Sequence, residues 1–139
     1  TTVGPQSAPL KTFDEVVILA SIVEAEVRDT SDRRIVAGIF LNRLEAGMAL
    51  QTDASIGYIT GSGRSRSTAK DLSIDSPFNT YKYPGLPPAP INNPSADSIR
   101  AVLNPTPNDY IYFLTDEAGT VYYGRTLEEH AANRRKAGF

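Results

Sequence analysis

VVILASIVEAEV, residues 16–27, is the stretch that decides the fold. It is apolar except at Ser21, Glu24 and Glu26, so it reads as a helix buried on most of its faces. Thr12 stands where an N-cap belongs, and Glu15 three residues on completes a capping box, which predicts a helix from about Thr12 to Arg28. An ionised carboxylate in such a run costs desolvation free energy. Desolvation raises a carboxyl pKa toward the range where it can donate a proton near neutral pH. Glu24 is the candidate general acid on that reading. At about 100° per residue, Phe13, Val17, Ala20 and Val27 lie around Glu24, with Arg28 one turn onward. A surface ion pair between Glu24 and Arg28 is the plainer alternative, and periodicity alone favours it. Glu26 lies about 200° from Glu24 around the helix, so the two cannot face one cleft. They are therefore not a paired-carboxylate glycosidase dyad.

Working outward, a second helix is expected from about Asp32 to Ala46. Its apolar residues Ile35, Val36, Ile39, Phe40 and Leu44 recur at helical spacing, and Gly47 follows as a C-terminal glycine. A third, shorter helix is expected to start after Thr52 or Asp53 and end near Gly61. Gly61 to Thr68 is a basic glycine-serine loop. Ser76 to Pro94 is proline-rich and reads as ordered, non-repetitive backbone. A helix from about Ser95 to Leu103 precedes two short aromatic and β-branched runs, Tyr110 to Leu114 and Thr120 to Tyr123, joined by a hairpin-type turn. Thr126 caps a final helix from about Leu127 to Lys136. Residues 1–11 read as a linker or disordered tail, and 12–139 as one domain. The fold class is α+β: mainly helical, with a small antiparallel sheet late in the chain.

Composition narrows the chemistry. The chain has 139 residues, enough for one domain with a real core. A net charge of −2 argues against a nucleic-acid surface. With no Cys and a single His, His130, neither a disulfide framework nor a metal site of usual ligand count is expected, and Ser-His chemistry is poorly supported. No stretch approaches the length needed to span a bilayer, and no signal peptide is visible. The chain opens on Thr1 rather than Met, which reads as a processed or excised piece of a longer protein.

The polar candidates fall outside the first helix. Gln51, in Leu50-Gln51-Thr52-Asp53, is not explained by helix capping, whereas Thr52 and Asp53 are. Its amide suits a neutral polar ligand such as a sugar or an acetamido group. Asn42 inside the second helix is mildly unfavourable there, so either a ligand role or a structural hydrogen bond would account for it. Ser76, Asn79 and Tyr81 sit among prolines, where aromatic rings and amides on stiff backbone suit carbohydrate. The loop holding Arg64 and Arg66 reads as a solvated excursion rather than a lid. Glu128-Glu129-His130 reads as an exposed helix face.

Taken in order, LASIVEAE (19–26), AGIFLNRL (37–44), GMALQTD (47–53), DSPFNTYKYPGLPPAPINNP (75–94), LNPTPNDYIYF (103–113) and TLEEH (126–130) resemble the MltG (YceG-like) family of endolytic murein transglycosylases. The resemblance covers about residues 17–133. It implies a lysozyme-like helix carrying the catalytic Glu, with Glu24 as that residue. It implies cleavage of the MurNAc-β-1,4-GlcNAc bond within peptidoglycan strands, leaving 1,6-anhydro-MurNAc ends, with no cofactor. One Glu is enough for that chemistry, because the attacking hydroxyl belongs to the sugar and no second carboxylate has to activate water. Gln51, Asn79 and Tyr81 match polar motif positions and are expected around the muramyl and acetamido groups, with Asn42 and Ser76 beside them. Glu26 also matches a motif position, and its helical angle makes it structural on this reading. The resemblance further implies an extracytoplasmic location, an N-terminal membrane anchor and a LysM-like module outside this sequence, peptidoglycan as partner, and peptidoglycan synthases among candidate protein partners. A monomer is the default expectation. Two other functions stay open: a non-catalytic peptidoglycan-binding or scaffolding module, and a hydrolytic muramidase using Asp53 to activate water.

Overall fold

The computed structural model describes residues 3–61 and 67–139. The element order is α1 (Phe13–Glu26), α2 (Thr30–Glu45), α3 (Asp53–Thr60), α4 (Ala69–Leu72), α5 (Ala96–Leu103), β1 (Tyr112–Thr115), β2 (Val121–Gly124) and α6 (Leu127–Ala137), after a short 3₁₀ turn at Pro5–Ser7. The α+β expectation holds.

α1 is the central element. Val16, Ile18, Leu19, Ala20, Ser21, Ile22 and Val23 are all buried along it, and it packs against α2, α3 and α5. Its N-terminus carries the expected capping box: Thr12 accepts from Glu15 N–H, and Glu15 accepts from Thr12 N–H at 3.0 Å. Its C-terminus comes earlier than expected. Val27 turns to extended backbone, so α1 stops at Glu26 and Arg28 is not one helical turn beyond Glu24. α2 lies flush against the 104–108 segment at Gly38, where a Cβ would meet Thr106 O at 2.7 Å and Asn108 Nδ2 at 2.6 Å.

β1 and β2 form an antiparallel hairpin in the register Tyr112↔Gly124 to Thr115↔Val121. The hairpin is fixed to the helices by an edge-to-face contact between Phe40 of α2 and Phe113 of β1. Tyr123 OH also donates to Asp32 of α2. α6 closes the other side of the sheet, with His130 stacked on Tyr112 at 5.0 Å.

The expectation for the N-terminal segment is corrected. Leu10 belongs to the core, Val3 packs against it, and the wholly buried Ser7 donates to Val102 O at 2.8 Å. These contacts lie far away in sequence, and the small polar composition of residues 1–11 gave no sign of them. α4 was also unexpected; Thr68 and Asp71 form its own capping box. Arg64 and Arg66 lie outside the described residues.

Candidate functional site

Glu24 and Glu26 part company at the C-terminal end of α1. Glu24 points toward α5. It accepts from Ser95 N–H at 2.9 Å, Ser95 Oγ at 2.6 Å and Ser98 Oγ at 2.9 Å. It also pairs with Arg33 Nη2 at 3.0 Å, and Arg33 in turn reaches Asp97 at 2.9 Å. The Ser95 hydrogen bonds above all, with Ser98 and Arg33 behind them, hold the Glu24 carboxyl down at about 2. The anticipated partner Arg28 is replaced by Arg33 of α2. A carboxylate with three donors and a guanidinium is a fastener between α1, α2 and α5, and it has no proton to give at neutral pH.

Glu26 points the other way, into an open groove of about 960 Å³. That volume lies at the upper end of the roughly 300–1,000 Å³ typical of ligand sites. Its lining includes Glu26, Gln51, Asp53, Tyr58 and Tyr81, together with Tyr112 and His130. Burial pushes the Glu26 carboxyl up to about 7, and the neighbouring Asp53 charge pushes the same way, against a hydrogen bond from Ala54 N–H at the start of α3. A carboxyl held there is half protonated at neutral pH, as a general acid needs.

The other expected residues divide. Gln51 and Tyr81 line the groove. Gln51 is left-handed, φ 55, and its N–H donates to Thr80 O at 3.1 Å, fixing the bend that brings it to the groove wall. Tyr81 donates to Asp53 Oδ1 at 2.7 Å. Asn42, Asn79 and Ser76 do not line the groove. Asn42 Nδ2 donates to Asn108 O and Tyr110 O, tying α2 to the approach of β1. Asn79 is fully buried, donating to Leu72 O and Ile74 O and accepting from Tyr81 N–H and Lys82 N–H. Ser76 accepts from Phe78 N–H in a local turn. Of the three, Asn79 supports the backbone at Tyr81, Asn42 ties α2 to the 108–110 segment, and Ser76 closes a local turn.

Sequence reasoning missed Glu26 as the groove residue, and Tyr58. Tyr58 is half exposed on α3 and braced by Phe78 at 4.9 Å between ring centroids. The available signal for Tyr58 was an aromatic ring on a short helix next to a polar motif. His130, read as an exposed face, is instead partly buried against Tyr112, and burial lowers its pKa. Among the described residues no group of His, Cys, Asp and Glu could hold a metal ion.

The YceG-like family matches residues 2–136. The chain belongs to that family. It is 43% identical over 122 residues to an endolytic murein transglycosylase of Bacillus subtilis, with 88% of this chain and 34% of the relative covered. It is 42% identical over 128 residues to an endolytic murein transglycosylase of Streptococcus pneumoniae, covering 88% and 23% respectively. It is similar to the crystal structure of a yceG-like protein from Listeria monocytogenes, with a TM-score of 0.82 and 45% identity over 86% of this chain and 39% of that one. The chain therefore spans about a third or less of the length of these curated relatives. No helix of the described residues is long and apolar enough to cross a membrane.

Proposed function

We propose that this domain cleaves peptidoglycan glycan strands internally by lytic transglycosylation, with Glu26 rather than Glu24 as its acid–base residue. The observation that carries the reading is the opposite placement of the two carboxyls. Glu26 faces the groove with its pKa raised to about 7, whereas Glu24 is hydrogen-bonded away from it at about 2. The printed names of the relatives support the substrate class.

In the proposed mechanism, the Glu26 proton passes to the oxygen between MurNAc and GlcNAc as the anomeric C–O bond breaks. The resulting carboxylate then takes the proton of the muramyl C6 hydroxyl as that oxygen bonds to the anomeric carbon. The proton returns to Glu26 and a 1,6-anhydro ring is left. Because the attack is intramolecular, orientation supplies much of the rate. Gln51 is placed to read an acetamido or hydroxyl group, and Tyr58 offers its exposed ring to a sugar face. The site of action would be the extracytoplasmic cell envelope, where such strands lie.

Asp53 in the same groove is the observation that keeps a hydrolytic reading in view. Mass spectrometry of uncrosslinked glycan strands after incubation separates the two. Anhydro-muramyl ends support the lytic reaction; ordinary reducing ends would replace it with hydrolysis. Glycan binding without any product would leave a binding module.

A further inference from the structure

Asp53 is the first residue of α3, which packs on α1, and Asp53 and Ala54 line the same groove as Glu26. Capping does not require Asp53, since Thr52 already accepts from Ser55 N–H as the N-cap of α3. Asp53 Oδ1 is held from two sides, by Tyr81 OH at 2.7 Å and by Ser67 Oγ at 3.2 Å. Tyr81 is anchored in turn, its N–H donating to the buried Asn79 Oδ1 at 3.0 Å. Burial first, and the bond to Asp53 second, push the Tyr81 phenol up, so it remains a donor. Arg43 of α2 could have balanced the Asp53 charge, but it is turned to the backbone, with Nε on Ile111 O at 2.7 Å and Nη1 on Ala49 O at 2.7 Å. The other charged or titratable groups on the groove lining are Tyr58 of α3, Tyr112 of β1, Asp116 of the hairpin, and His130 and Arg134 of α6. Among all of these, Asp53 is the group whose charge raises Glu26.

We propose that Asp53 is a positioning residue for Glu26: Tyr81 and Ser67 lock its carboxylate beside the general acid as a fixed negative charge that keeps the proton on Glu26 until a glycan arrives. The inference rests on Glu26 being the acid. It gives Tyr81 a second duty besides lining the groove.

The test is a carbon-13 NMR titration of glutamate side-chain carboxyls in this chain, with the Glu26 signal assigned by its loss in Glu26→Gln. In the native chain Glu26 should titrate near 7. In Asp53→Asn, and in Asp53→Ser as a second neutral replacement, its midpoint should fall by about one unit. The descending limb of the pH–activity profile should move down with it. Turnover at pH 7 should drop about fivefold and recover as the pH is lowered, with anhydro products retained. An unmoved Glu26 midpoint in both variants would overturn the inference. Loss of turnover at every pH would also overturn it, by giving Asp53 a chemical role. If Glu26→Gln stayed active while Asp53→Asn still shifted the Glu26 signal, the acid assignment would fail and the electrostatic coupling would stand.

Discussion

Glu24 and Glu26 are two residues apart, yet their surroundings drive them in opposite directions. Three hydroxyl and amide donors and Arg33 favour the charged form of Glu24. Burial and a like charge disfavour the charged form of Glu26. A group that the fold prefers neutral is a stability cost when it ionises. Glu26→Gln should therefore raise the melting temperature at pH 8 and leave it nearly unchanged at pH 4, in thermal scans at the two pH values. The same variant should lose turnover. Gln51 carries a second local cost. Its left-handed backbone, φ 55, costs a non-glycine residue about 1 kcal/mol. Gln51→Gly should keep stability within about 1 kcal/mol of the native chain, since relief of strain is set against added unfolded-chain entropy. It should cut turnover at least tenfold if the amide reads the sugar. Denaturant unfolding alongside an activity assay checks both halves.

At the scale of elements, α1 was legible because its apolar run and capping box are local signals. α2, α5, α6 and the hairpin were legible from periodicity and turn residues. The docking of residues 3–11 was not, because it depends on Ser7 meeting Val102, 95 residues away. The role of Glu24 was hidden for the same reason: its donors Ser95 and Ser98 come from another helix more than 70 residues on. Sequence did give the rule that the two carboxyls face apart, and the structure keeps it, with Glu26 on the groove side. Asn42 and Asn79 show the converse difficulty. An amide that binds backbone carbonyls across a loop looks, in sequence, like an amide that binds sugar. Gly38 is a contact of this long-range kind that can be tested. Gly38→Ala should destabilise the chain by about 2 kcal/mol in denaturant titration, because the new methyl group meets the backbone carbonyl of Thr106. Partial loss of activity should accompany it through displacement of the segment leading into β1.

At the scale of the whole molecule, the two carboxyls shape the stability curve from opposite ends. The Glu24 carboxyl is lowered from 4.5 to about 2, so its stabilisation is present above 4.5 and is lost as pH falls through 2. Glu15, also lowered by its capping bonds, adds to the acid-side loss. Glu26 is raised from 4.5 to about 7, so the preference of the fold for its protonated form is fully present below 4.5 and is lost as pH rises through 7. These groups together place the most favourable pH for stability in the mildly acidic range. Thermal scans from pH 2 to 9 should show it, with Glu24→Gln flattening the acid side and Glu26→Gln the neutral side. Glu24→Gln should also cost about 2 kcal/mol at neutral pH by weakening the Arg33 fastener. The groove is lined by residues of α1, α2 and α3 together with residues of the hairpin and α6, and Glu26 is among them.

The assignment of the acid is tested most directly by giving uncrosslinked glycan strands to the native chain, Glu24→Gln and Glu26→Gln, with each variant confirmed as folded by circular dichroism. Products are then read by mass spectrometry. Anhydro-muramyl ends are expected from the native chain and from Glu24→Gln, and none from Glu26→Gln. Products from Glu26→Gln would contradict the assignment, and their loss from a folded Glu24→Gln alone would return the proton donor to Glu24.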